Sequence, residues 1–188
     1  AVCVLRQRVL GALAVHLTPD AATWGADASR PPLYEAYRAY RAGIDAFNKP
    51  TSVWGRSEIA HEHIRRALAL DSTFAPALLW DGMLNWWETL GGPRRDSILG
   101  RLERMRDRLT RYGQLRLEWL EAASSLDWER ADAPLRQLIA ATGGTYLDLR
   151  EHALNLLRLN RPREAIRSLE RIDLGAEGWD SLSTADYW

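Results

Sequence analysis

The sequence predicts an all-α chain built of repeated antiparallel helix pairs, an α-solenoid, and three observations predict it. From Tyr34 onward, apolar residues recur at helical spacing with almost no β-type alternation. Each such segment is closed by Gly, Pro, Asn or an Asp-Ser pair, the residues that end helices. The third observation is a period. Ala60, Ile64 and Ala67; Ile98, Leu102 and Met105; Ala131, Leu135 and Leu138; and Ala165, Leu169 and Ile172 all step by four and then three, so each set lies on one helical stripe. Their first members are 38, 33 and 34 residues apart, the length of a helix-turn-helix repeat with one extension in the first interval.

Taken in order, residues 1–18 read as an amphipathic helix, with Leu5, Val9, Leu13 and Leu17 along one face. Arg6 and Arg8 ahead of an apolar run superficially copy a signal peptide, but no small-residue cleavage motif follows. Starting at Ala1, the sequence reads as part of a longer or processed product. Residues 19–32 turn to Ala, Asp, Ser, Gly and Pro, with Trp24 as the one large apolar side chain, and read as a linker.

The repeat domain is expected over residues 33–188. Each triplet marks the second helix of a pair, and the first helices fall at Tyr34 to Phe47, Ala75 to Thr89, Gln114 to Ser124 and Tyr146 to Leu159. Gly43 and Gly82 inside two of them point to close helix approach, since a mid-helix glycine otherwise costs about 1 kcal/mol relative to alanine. Asn160 suits a left-handed helix terminus and Pro162 the first turn of the next helix. Helix Ser97 to Tyr112 carries Arg101, Arg104, Arg108 and Arg111 as a basic stripe, which Glu103 and Asp107 can partly neutralise as a solvated face. Ser183 to Trp188 reads as the opening of a fifth pair.

Composition narrows the function. Lys plus Arg is 25 and Asp plus Glu is 25, so the field that gathers nucleic acid is missing. Hydrophobic residues at 46% and charged residues at 27% suit a folded, soluble chain, and no run reaches the roughly 18 apolar residues of a membrane span. Lys49 is the sole lysine, which we read as codon bias. Nine Trp against two Phe suggest a surface that is both apolar and able to donate hydrogen bonds. The single Cys3 excludes a disulfide framework and a CxxC site and leaves the compartment open.

An enzyme is not expected. His61 and His63 are two residues apart, about 200° around a helix, so they cannot share a metal as an i, i+4 pair does. His16 and His152 have no visible partner and read as structural. No GxSxG, GxxxxGK[ST] or HExxH motif occurs. Thr142-Gly143-Gly144-Thr145 and Gly91-Gly92-Pro93 lie between helices and read as turns. No cofactor is implied.

Ala60-His61-Glu62-His63-Ile64-Arg65-Arg66-Ala67-Leu68-Ala69-Leu70-Asp71-Ser72 resembles the second helix of the tetratricopeptide repeat, with Ser72 where that family usually has proline. Asn160 to Ile172 is a second good match, and the pairs centred on Ile98 and Ala131 are degenerate, with Trp119 where a glycine is expected. The resemblance covers Tyr34 to Asp173, about four repeats, and implies a right-handed superhelix. Leu5 to Leu13 followed by Pro31 to Arg38 is further similar to the junction leading into the repeat tails of bacterial serine/threonine kinase or winged-helix signalling proteins, which implies an extracytoplasmic, periplasmic placement. It carries no catalytic residue across.

What the resemblance implies is a non-catalytic protein-interaction module, a scaffold or sensor tail whose first helices line a groove. The candidates are Tyr37, Tyr40, Ile44 and Phe47 in the first pair and Leu79, Met83, Trp86 and Trp87 in the second. Arg116 and Leu120, then Arg150, Leu154 and Arg158, continue it with cations. An apolar peptide or helix with an acidic end would suit such a groove. The competing reading is that these residues are packing, as apolar stripes usually are. The Asn and Lys clamp of chaperone-binding relatives is absent. The alternative function is a structural subunit of a membrane-associated multiprotein complex.

Overall fold

The computed structural model describes residues 2–17, 31–48, 53–89 and 93–172. Most of the expected linker, the Gly91-Gly92 turn and the Ser183 to Trp188 opening lie outside the described residues. Those that are described form helices α1 (Val2–Leu17), α2 (Tyr34–Asn48), α3 (Val53–Leu70), α4 (Ala75–Thr89), α5 (Pro93–Glu103), α6 (Arg111–Ser124), α7 (Trp128–Thr142), α8 (Tyr146–Arg158) and α9 (Pro162–Leu169), with a 3₁₀ turn at Arg106–Arg108. Among the described residues no helix is long and apolar enough to cross a membrane.

The chain divides into two compact units, one through Thr110 and one from Arg111. In the first unit, α1 packs on α2, α2 on α3, α3 on α4 and α4 on α5. The triplet residues explain why. Ala60, Ile64 and Ala67 turn fully inward from α3, and Ile98 and Leu102 do so from α5. Gly43 is where α2 meets α3: a Cβ there would stand 3.0 Å from Ile64 Cδ1 and 3.3 Å from the Ala60 carbonyl oxygen. Close approach is therefore the reason for that glycine. Tyr37, Tyr40 and Phe74 pack with ring centroids 5.1 to 6.5 Å apart, and Phe47, Trp80 and Trp87 form a second aromatic cluster.

Helix α1 forms where expected but turns the other way. Gly11 and Val15 are its buried residues, and a side chain on Gly11 would collide with the Pro32 carbonyl. The face expected to pack is outward, with Leu5 66%, Val9 51%, Leu13 52% and Leu17 77% exposed. A residue without a Cβ allows a closer backbone approach than leucine does, and here that contact decides which side is buried. Arg8 reinforces it through the Pro31 carbonyl at 2.6 Å and Asp71 at 2.7 Å.

In the second unit, α6 packs on α7, α7 on α8 and α8 on α9. Asp127 caps α7 by accepting from Arg130 N at 3.0 Å. Thr145 and Asp148 form a reciprocal capping box at the start of α8, which satisfies helix N–H groups that would otherwise lack acceptors. Asn160 takes the left-handed conformation (φ 55°) and Pro162 opens α9 at its first turn, as the sequence suggests. Ala131, Leu135 and Leu138 are fully buried, and Ala165 follows at the start of α9.

One expected helix is broken. Residues 97–112 do not form a single helix: α5 ends at Glu103, and Leu109 is extended (φ −95°, ψ 143°) before α6 begins. In an uninterrupted helix Tyr112 would lie about 80° off the Leu102 stripe; with the break, both Leu109 and Tyr112 are buried. The basic stripe is lost with it. Arg101 donates to the Ser72 carbonyl at 3.2 Å, while Arg111 donates to Gln137 Oε1 at 2.9 Å in the second unit. Met105 and Ile172, the last members of their triplets, lie just past the helix ends and are half-buried.

Candidate functional site

Seven of the eleven groove candidates are inside the protein. Tyr37, Tyr40, Ile44, Leu79, Met83, Trp86 and Arg116 are all buried. What remains accessible is Phe47 and Trp87 in the first unit and Arg150 and Arg158 in the second. Tryptophan is thus used chiefly for packing, since Trp80, Trp86 and Trp119 are buried as well.

The two accessible sets differ in chemistry. Phe47 and Trp87 stack with centroids 5.3 Å apart and planes 19° from parallel, and Trp80 meets both edge-on. The pair forms a rigid, half-buried aromatic shelf between α2 and α4, rigid because stacked rings lose little rotamer freedom on contact. In the second unit Arg158 is exposed and lies 4.3 Å over the Trp128 ring, and Asn155 Nδ2 donates to the Trp128 carbonyl at 3.0 Å. A guanidinium stacked this way keeps its donor edge free for a carboxylate. Arg150 pairs with buried Glu151 at 2.9 Å.

Arg116 has another role. It is fully buried and ion-paired with fully buried Asp148. Asp148 also accepts from Tyr112 Oη at 2.9 Å, Thr145 Oγ1 at 2.7 Å and Thr142 Oγ1 at 3.2 Å. One carboxylate therefore joins α6, the end of α7 and the start of α8. Burial, with the Asp148 charge adding to it against the pull of Arg116, raises the Tyr112 phenol far above its ordinary value, so it stays a neutral donor.

His152 does have partners. Its Nδ1 lies 3.1 Å from Ser168 Oγ, and its Nε2 lies 3.4 Å from Asp132 Oδ1. The three come from α7, α8 and α9. Their order resembles a nucleophilic triad, but Ser168 is buried and donates to the Leu149 carbonyl at 3.2 Å, so the cluster fastens helices and presents no reactive oxygen. Local sequence showed no hint, because the partners are 20 and 16 residues away; the available signal was that Asp132 and His152 each adjoin a small contact residue, Ala131 and Ala153.

Burial lowers the His152 pKa below its ordinary value; the attraction of Asp132 opposes this, and Arg136 and Arg161 add to it. The folded state then binds fewer protons than the unfolded one, so stability is complete above about pH 6.5 and declines as pH falls toward the depressed folded value. Urea unfolding between pH 7.5 and 5 should show this decline, at most about 1.4 kcal/mol per pH unit for one proton. The component due to His152 should vanish in His152→Gln; a slope unchanged by that substitution would assign it to other groups. His61, by contrast, contacts Glu88 at 3.1 Å, and His63 is partly exposed on another side of α3.

Comparison with family models, with curated protein sequences and with solved structures returns no match for this chain.

Proposed function

We propose that the chain is a non-catalytic protein-interaction module, a tetratricopeptide-like solenoid of antiparallel helix pairs acting as a scaffold or sensor tail. The observation that carries the reading is the placement of the repeated triplets. They fall on α3, α5, α7 and α9, every second helix, and their leading residues Ala60, Ile98, Ala131 and Ala165 all turn inward. Each is preceded by a helix that packs on it, which is the repeat unit of that architecture. Recognition is assigned to the accessible Phe47 and Trp87 shelf and, separately, to Arg150 and Arg158. These fit an apolar side chain and an acidic group of a partner peptide, respectively.

The test is peptide display against the immobilised full chain. Enriched peptides are expected to combine apolar and acidic residues, and to lose at least tenfold in affinity, about 1.4 kcal/mol, in Trp87→Ala or in Arg158→Glu. Failure to enrich, or peptides indifferent to both variants, would refute these surfaces. A structural role in a membrane-associated complex is favoured by one observation, the outward row of Leu5, Val9, Leu13 and Leu17 on α1. Partner association that depends on Leu13 and ignores Trp87→Ala would select it.

A further inference from the structure

A cavity of about 440 Å³ in the first unit has Arg8, Asp71, Thr73 and Arg108 among its lining residues. That volume is within the range of small-ligand sites, about 300 to 1,000 Å³. The four polar residues are not equivalent. The Asp71 carboxylate is satisfied by Arg8 Nη1 (2.7 Å), Leu33 N (3.2 Å), Thr73 N (3.1 Å) and Thr73 Oγ1 (2.7 Å). Burial pushes that carboxyl upward, but these hydrogen bonds and the Arg8 charge outweigh it and hold the group below the ordinary carboxylate range, so it stays ionised. Arg8 is engaged in turn with Asp71 and the Pro31 carbonyl.

Arg108 is left over. Its Nε is enclosed by the protein and has no hydrogen-bond partner, although its backbone N–H is held by the Met105 carbonyl at 2.9 Å in the 3₁₀ turn. An enclosed donor without an acceptor is costly, and more so when it is charged. An acceptor entering the cavity would relieve that cost.

We propose that this cavity binds a monocarboxylate with a compact apolar body, the carboxylate being received by the Arg108 guanidinium. The charge of the lining argues for one negative charge on the ligand. Arg8 and Asp71 neutralise each other, which leaves Arg108 to balance a monoanion, whereas a phosphate dianion would lie uncompensated beside the Asp71 carboxylate. The rest of the wall argues for the apolar body: Pro32, Phe74 and Pro76 offer carbon surface and no side-chain donor. The fork of an arginine fits the planar carboxylate. This site is independent of the protein-binding surfaces above.

The experiment titrates the full chain by calorimetry with hexanoate, hexanol and hexyl phosphate. Hexanoate is expected to bind saturably, at one per chain, with hexanol at least tenfold weaker. In Arg108→Gln, hexanoate affinity should fall at least tenfold while the ligand-free melting temperature stays within a few degrees. Absence of saturable hexanoate binding, tighter binding of hexyl phosphate than of hexanoate, or undiminished affinity in Arg108→Gln would each overturn the proposal. A measurement free of any variant is the Arg108 Nε–H resonance of the unaltered chain. Hexanoate should shift it in proportion to occupancy, and a resonance that stays in place at saturation overturns the assignment.

Discussion

Replacing Asp148 by alanine is expected to destabilise the protein by about 3–5 kcal/mol, the usual consequence of removing one partner of a buried ion pair. Arg116 would keep its charge in a site with no access to water, facing only the Tyr112 hydroxyl at 3.1 to 3.2 Å. Tyr112, Thr142 and Thr145 would each lose an acceptor, and the start of α8 would lose its capping box, about another 1 kcal/mol. Urea unfolding of the second unit should show the loss as a lower midpoint. The companion double variant, Arg116→Met with Asp148→Leu, should recover much of it, because an apolar pair of similar volume carries no desolvation penalty. A loss below about 1 kcal/mol in Asp148→Ala would mean that water reaches Arg116.

Trp86→Ala is expected to cost about 3–5 kcal/mol in folding stability, and any partner binding it loses should follow from that unfolding. Trp86 is 2% exposed within α4. Its neighbour Trp87, about 100° further around the same helix, is half-buried on the shelf with Phe47. The two substitutions should therefore separate: Trp86→Ala lowers the unfolding midpoint strongly, and Trp87→Ala lowers it much less while weakening peptide capture. Thermal unfolding and peptide affinity measured on both variants check this. A Trp86→Ala chain that unfolds like the unaltered protein yet fails to bind would return Trp86 to the recognition surface.

The helices themselves were legible because periodicity and capping are local. Ala75–Thr89 matches its expected bounds, and Asn160 and Pro162 mark the α8 to α9 turn by their own backbone preferences. Which face of a helix is buried was less legible, since that depends on neighbours distant in sequence. On α1, leucines at a four-residue spacing suggested one face, but the Gly11 contact with Pro32, 21 residues on, buries another. The same limit applies to the recognition candidates. Tyr40 and Trp86 sit on first helices as the resemblance implied, but rings packed against them from other helices place them in the core. Arg116 looked like a groove cation because its counter-charge, Asp148, is 32 residues away. The break after Glu103 was hidden because charged residues around Arg106 suit either an exposed helix face or a turn.

The missing Cβ of Gly43 against the Ile64 side chain has an evolutionary consequence. In related chains these two positions should drift as a couple, with alanine or serine at 43 accompanied by valine or alanine at 64, so that the summed side-chain bulk is conserved while either residue alone varies. Compensated exchange of that kind would be a more durable mark of kinship than identity at either site, and a family alignment in which the two vary independently would show that this seam is not kept.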